Sequence, residues 1–96
     1  MTPDIEIDAI GLICPLPVLK LRKRMAGLDS GSIIRILADD PAAILDIPHF
    51  CNENKHFLLD SRKPTEPTAN RNLREYFIKK GWFLIQHYEK DSQLKK

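Results

Sequence analysis

Polar and apolar residues alternate strictly over the first stretch, Asp4-Ile5-Glu6-Ile7-Asp8-Ala9. A period of two is what a strand with one buried face requires, so Ile5, Ile7 and Ala9 are expected to point inward. Gly11 interrupts the rhythm. From Pro15 to Ala26 the period changes: Val18, Leu21, Met25 and Leu28 recur at the three- and four-residue spacing of one helix face, and Lys20, Lys23 and Arg24 occupy the other side. Basic residues late in a helix complement its carbonyl-rich end, and Gly27 is placed to stop it. After a turn at Asp29-Ser30-Gly31, the β-branched run from Ser32 to Ala38 predicts a second strand. Asp39-Asp40-Pro41 offers an acidic cap and a proline at the first helical position, predicting a second helix to about Asn54, kinked or split at Pro48. His56 to Arg62 predicts a third strand, and "KPTEPTANRN" a polar loop. The segments on either side of Gly81, "LREYFIKK" and "WFLIQHYEK", are read as strands, although Leu73, Tyr76 and Phe77 also fit a short helix face.

The order βαβαββ predicts an α/β fold, a two-layer sandwich with two helices packed on one face of a mixed four-stranded sheet, because a small sheet must cover one apolar face and the helices supply the cover. With 96 residues the chain has room for one such core. We expect it to occupy residues 1–81, with 82–96 forming a C-terminal extension that carries an extra strand and a flexible tail. No apolar run approaches the roughly 18 residues that a membrane span needs, and the acidic start Met1-Thr2-Pro3-Asp4 lacks a basic, then hydrophobic, leader. The expectation is a cytoplasmic protein whose two cysteines are reduced. A formal net charge of +2 permits contact with RNA or an acidic protein surface without demanding either.

The candidate chemistry lies in "DAIGLICPLPVLKLRKRM". If Pro15 opens the first helix, Cys14 is its cap residue, where free backbone N–H groups present partial positive charge. A thiolate is favoured in such a setting, and its pKa falls below the free value of ~8.5. Pro15 and Pro17 sit in a first turn whose donors have no intrahelical partner, and Pro15 biases Cys14 toward extended backbone, out of the helix. Cys51, beside Phe50 with no cap signal, reads as an inert core thiol. His49, Cys51 and His56 match no recognised zinc spacing, and neither a metal nor an organic cofactor is expected. No Ser-His-Asp order or glycine-rich phosphate loop stands out.

These residues carry a resemblance. "DAIGLICPLPVLKLRK" followed by "ADDPAAILDIPHFC" resembles the TusA family of small sulfur carriers, also called SirA-like, with its Asp-x-x-Gly-x-x-Cys-Pro-x-Pro hallmark on Asp8, Gly11, Cys14, Pro15 and Pro17. The second signature falls on Ala38-Asp39-Asp40-Pro41 and Asp46-Ile47-Pro48. The resemblance implies a βαβαββ sandwich in which Cys14 accepts sulfur as a persulfide from a cysteine desulfurase. It then passes the sulfur to the thiol of a downstream relay protein, as in 2-thiolation of the tRNA wobble uridine. It implies a carrier rather than a multiple-turnover enzyme, with Gly11, Pro15 and Pro17 supporting the helix start. Asp40 and the basic face of Lys20, Lys23 and Arg24 would meet partners, and direct nucleic-acid contact is permitted but not required. Two positions depart from the family pattern, which commonly has a basic residue before the cysteine and often an acidic one between the prolines; Ile13 and Leu16 stand there. The loop 63–72 is longer than usual, and residues 82–96 extend past the typical end. Two further readings remain open at this point: a small RNA- or protein-binding regulatory module in which Cys14 is structural, and a redox switch that would require Cys14 and Cys51 to meet.

Overall fold

A computed structural model describes residues 2–65 and 70–81 of the chain. The elements run β1 (Ile5–Ala9), α1 (Leu16–Met25), β2 (Ile33–Ala38), α2 (Ala43–Glu53), β3 (Phe57–Arg62) and β4 (Arg74–Lys79). The expected βαβαββ order is therefore present, and the segment around Tyr76 is strand rather than helix. The strands form one sheet in the order β1-β2-β4-β3, in which β1 and β2 are parallel and the other two pairings antiparallel. This is the mixed four-stranded sheet of a two-layer α/β sandwich. The expected strand and tail beyond Gly81 lie outside the described residues, as do residues 66–69 of the polar loop.

Register decides which face each side chain meets. Ile7 stands beside Ile36, and Ile36 beside Tyr76; one rung away Ile34 lies between Ile5 and Ile78. Those rows bury Ile7, Ile34, Ile36, Tyr76 and Ile78 under Leu21 and Met25 of α1 and Ile47, Phe50 and Cys51 of α2. Fully burying each large aliphatic side chain stabilises the fold by roughly 1.5–3 kcal/mol. Cys51 is part of this core, and burial pushes its thiol up to about 12, which makes it chemically inert at neutral pH. Leu59 is the extra residue where the β3–β4 register shifts between Leu58 and Asp60, so the side chains beyond it resume the correct faces.

Two helix boundaries differ from the sequence reading. Helix α2 begins at Ala43, with Ala42 as its cap residue and no side-chain cap bond. Asp40 carries the first turn instead, its carbonyl accepting the Ala43 N–H at 2.9 Å and its carboxylate the Ala42 N–H at 3.1 Å. The helix also continues unbroken through Pro48 to Glu53, so the expected split does not occur. Proline removes the bond to the carbonyl four residues back and crowds that carbonyl, and the buried anchors Ile47, Phe50 and Cys51 lie on both sides of the defect.

Candidate functional site: the Cys14 loop

Residues 10–15 leave the C-terminal end of β1 and turn into α1. Gly11 makes the turn with φ of +86°, a left-handed conformation that costs a residue with a Cβ roughly 1–2 kcal/mol. Two aspartates from the end of β2 then fix the loop. The Gly11 N–H donates to Asp39 at 2.9 Å, and the Cys14 N–H donates to Asp40 at 2.5 Å. Asp39 is braced in turn by the Asn70 side-chain amide at 2.9 Å. Hydrogen bonds from Gly11 and Asn70 hold its carboxyl below the usual carboxylate range, the Asn70 bond contributing most. On the other side, Lys20 Nζ reaches back to the Asp8 carbonyl at 2.6 Å. The parallel β1–β2 pairing makes this possible, because it ends both strands at the same edge, Ala9 beside Ala38.

Cys14 is exposed and Cys51 buried, both as free thiols. The Cys14–Pro15 peptide is cis. Cys14 shares a cavity of about 200 Å³ with Pro15, Val18, Arg22, Asp46, His49, Phe50 and Glu53, at the seam between the two helices. Ile13 is 69 % exposed, Leu16 45 % and Leu45 76 %, so apolar side chains flank Cys14 and Asp46 in the chain, while the cavity itself carries the ionisable Arg22, Asp46, His49 and Glu53.

The sequence reading of this cysteine needs two corrections. The first helical residue is Leu16, with Pro15 as cap, so Cys14 lies one position before the cap. The thiol is also held above its ordinary value rather than below it. A hydrogen bond to Asp46 is the largest cause, with partial burial and the negative charges of Asp46 and Asp40 adding to it. The physical reason lies in the prolines. Pro15 and Pro17 have no N–H, and the Leu16 N–H is already bonded to the Ile13 carbonyl at 2.8 Å. Of the opening positions 15–18, only Val18 retains a donor to offer. A helix start stripped of donors stabilises an anion weakly, and two nearby carboxylates overcome what is left.

Of the remaining predicted site residues, the structure brings Asp40 to Cys14, Lys20 to the loop's base and Pro17 into the buried side of α1. Lys23 and Arg24 are exposed in the last turn of α1 and meet the sulfur at no described contact. Arg22 does reach the cavity, its guanidinium lying 5.7 Å over the Phe50 ring. Sequence reasoning treated Asp39 and Asp40 mainly as helix caps and gave Asp46 no role of its own. Only the three-residue distance from Asp46 back to Ala43, one helical turn, hinted that it faces the same way as the start of α2. His49 pairs with Glu53 at 3.4 Å, the His56 Nδ1 accepts the Gly81 N–H at 3.1 Å, and Cys51 is in the core. These three candidate metal ligands thus serve three separate local structures.

A four-stranded α/β sandwich that presents one exposed thiol from the loop before its first helix defines a class of small thiol-bearing domains. The chain belongs to the TusA family: residues 5–68 match the family described as Sulfurtransferase TusA. Among solved structures it is similar to the SirA-like protein from Desulfitobacterium hafniense, with a TM-score of 0.66 and 23% identity over 81% of this chain and 99% of that one. That likeness establishes the fold.

Proposed function

We propose that this protein is a cytoplasmic persulfide carrier whose working atom is the Cys14 sulfur. The observation that carries the reading is an exposed thiol in a loop clamped by Asp39 and Asp40, within the stretch that matches the TusA family. A cysteine desulfurase presents a persulfide, and the Cys14 thiolate attacks its outer sulfur. The donor's S–S bond breaks, the donor leaves as thiolate, and Cys14 becomes the persulfide; the same exchange in reverse order delivers the sulfur to an acceptor thiol. Such exchange needs an accessible sulfur and an attacking thiolate, with no metal or organic cofactor. Transfer into tRNA wobble-uridine 2-thiolation is the route this reading favours, with the acceptor a downstream relay protein.

The apolar residues Ile13 and Leu16 shape partner choice. A charged collar would steer encounter at long range, whereas an apolar one contributes through burial after contact. Association with the desulfurase is therefore expected to depend only weakly on salt. The deciding measurement is intact mass after incubation with an active cysteine desulfurase and cysteine. Wild type is expected to gain one sulfur atom, removable by dithiothreitol, and Cys14→Ser none. A wild-type mass that stays unchanged overturns the carrier reading, and steeply salt-dependent RNA binding by a Cys14→Ser variant would replace it with the regulatory module.

A further inference from the structure

The seam between α1 and α2 holds a second cavity, also of about 200 Å³, at the C-terminal ends of the two helices. Arg22 and Phe50 are common walls of both cavities, but the charge on either side of them differs. Asp46 and Glu53 line the Cys14 side, whereas among the described residues none that lines the second cavity is acidic. Its polar groups come from four parts of the chain: Arg22 of α1, Asn54 at the end of α2, His56 before β3 and Lys80 after β4, beside the apolar Met25 and Phe50. Each of the four has a hydrogen left to give. The Arg22 guanidinium lies 5.7 Å over the Phe50 ring and makes no ion pair among the described residues. The His56 ring lies 5.6 Å from the same Phe50 ring, and its Nδ1 accepts the Gly81 N–H at 3.1 Å, so the hydrogen of the neutral imidazole is on Nε2. Lys80 Nζ donates to the Met25 carbonyl at 2.7 Å and to the Leu28 carbonyl, which leaves the third of its N–H groups. Asn54 gives one amide hydrogen to the Phe50 carbonyl at 2.9 Å and keeps the other.

We propose that this cavity is a binding site for a small phosphate monoester, whose oxygens accept from Arg22, Lys80, the His56 Nε2–H and Asn54 while its organic stem lies against Phe50 and Met25. The inference stands apart from the sulfur-carrier reading and needs no chemistry at Cys14. Two fixed positive charges, two neutral donors and no carboxylate select an anion, and they favour a dianion over a monoanion because the attraction scales with the product of the charges. A phosphate monoester carries about −1.5 to −2 near neutral pH and offers three acceptor oxygens, against the single charge of a carboxylate. The volume lies below the roughly 300–1,000 Å³ of pockets that take drug-sized ligands, so a phosphate head with a short stem fits and a nucleotide does not.

The test titrates the isotope-labelled full-length protein with phenyl phosphate at constant pH and ionic strength and follows its amide NMR signals. Saturable shifts are expected at Phe50, Asn54 and Gly81. Inorganic phosphate and benzoate are each expected to bind several-fold more weakly, and phenol not at all. Arg22 is exposed, so Arg22→Gln keeps the fold; it is expected to weaken phenyl phosphate on the order of tenfold, the loss that one hydrogen bond to a charged group makes. Arg71→Gln removes the same charge from a position outside the cavity and is expected to leave the affinity unchanged. Shifts that do not saturate, that fall elsewhere on the molecule, or that both variants weaken equally mark diffuse attraction to a basic surface and overturn the site. Benzoate or phenol binding as tightly as phenyl phosphate overturns the assignment of a phosphate. Neither result touches the sulfur loading of Cys14, which is read by mass.

Discussion

A sulfur that other proteins must reach needs a backbone that keeps its place when they press on it, and in this chain two adjacent carboxylates supply that. Asp40 accepts two N–H groups, one from each side of the connection between the Cys14 loop and α2. Replacing it with alanine removes both bonds, of which the one to Cys14 is exposed and the one to Ala42 part-buried, at a net cost of about 0.5–1.5 kcal/mol each. Asp40→Ala is thus expected to lower the thermal midpoint and to slow sulfur loading, whereas Lys23→Ala, far from any described contact with the loop, is expected to change neither; calorimetry and timed intact-mass measurements check this. The sequence was legible here as far as position and chemistry type. It located the loop, the cysteine and the aspartates, because glycine, proline and acidic residues punctuate a chain by local rules. It misjudged the sign of the cysteine's shift, because that sign depends on which donors the prolines delete and on Asp46, a residue 32 positions away that only folding brings to the sulfur.

At the scale of elements the hydrophobic periods were reliable and the boundaries less so. Alternation marked β1 and helical spacing α1, and β-branched content marked β2, whereas β4 fitted either period because it is buried on both faces from Glu75 to Ile78. Of the kink or split read from Pro48, the split does not occur, because core anchors on both sides outweigh one missing hydrogen bond. The junction between β4 and the α2–β3 turn was invisible in the sequence for a similar reason, being a contact between distant segments. A Cβ on Gly81 would lie 1.8 Å from the Lys55 carbonyl oxygen, a backbone atom that cannot swing aside, and Lys55 is itself held at φ of +62°. Gly81→Ala is expected to destabilise the domain by at least about 1–3 kcal/mol, while Gly27→Ala, where a Cβ meets nothing within 4 Å, is expected to leave the midpoint nearly unchanged. Urea unfolding of the two variants distinguishes them.

Across the whole molecule, the sheet face away from the helices is tied by charge. Glu75, 4 % exposed, bonds Arg35 at 2.7 Å and Arg62 at 2.8 Å, and Arg35 and Arg62 extend the row to Glu6 and Asp60. Arg62 also lies 5.1 Å over the Phe77 ring. None of this could be read from a chain in which the partners stand 13 and 40 residues apart. Burial pushes the Glu75 carboxyl up, but the bonds to Arg62 and Arg35, with their charges, prevail and hold it below the usual range. A depressed carboxyl contributes stability above its unfolded pKa, and that contribution is lost as pH falls through the folded value. His56, lowered by burial and the Lys80 charge, contributes stability that is full above its unfolded value and fades as pH drops below it. The free energy of unfolding is therefore expected to decline in two stages, first below about pH 6.5 and again below about pH 4.5. Glu75→Gln should shrink the second stage, leaving the part that the depressed Asp39 carboxyl contributes, as urea titrations at several pH values would reveal. The strand order has one more implication, for synthesis on the ribosome. Because β4 is the last described strand and sits between β2 and β3, a chain lacking it has a β1–β2 pair, an unpaired β3 and a gap where Tyr76 belongs. Asn70, the brace on Asp39, also comes late. The chain must therefore be made as far as Lys79 before the sheet closes and the Cys14 loop rests on its full set of braces.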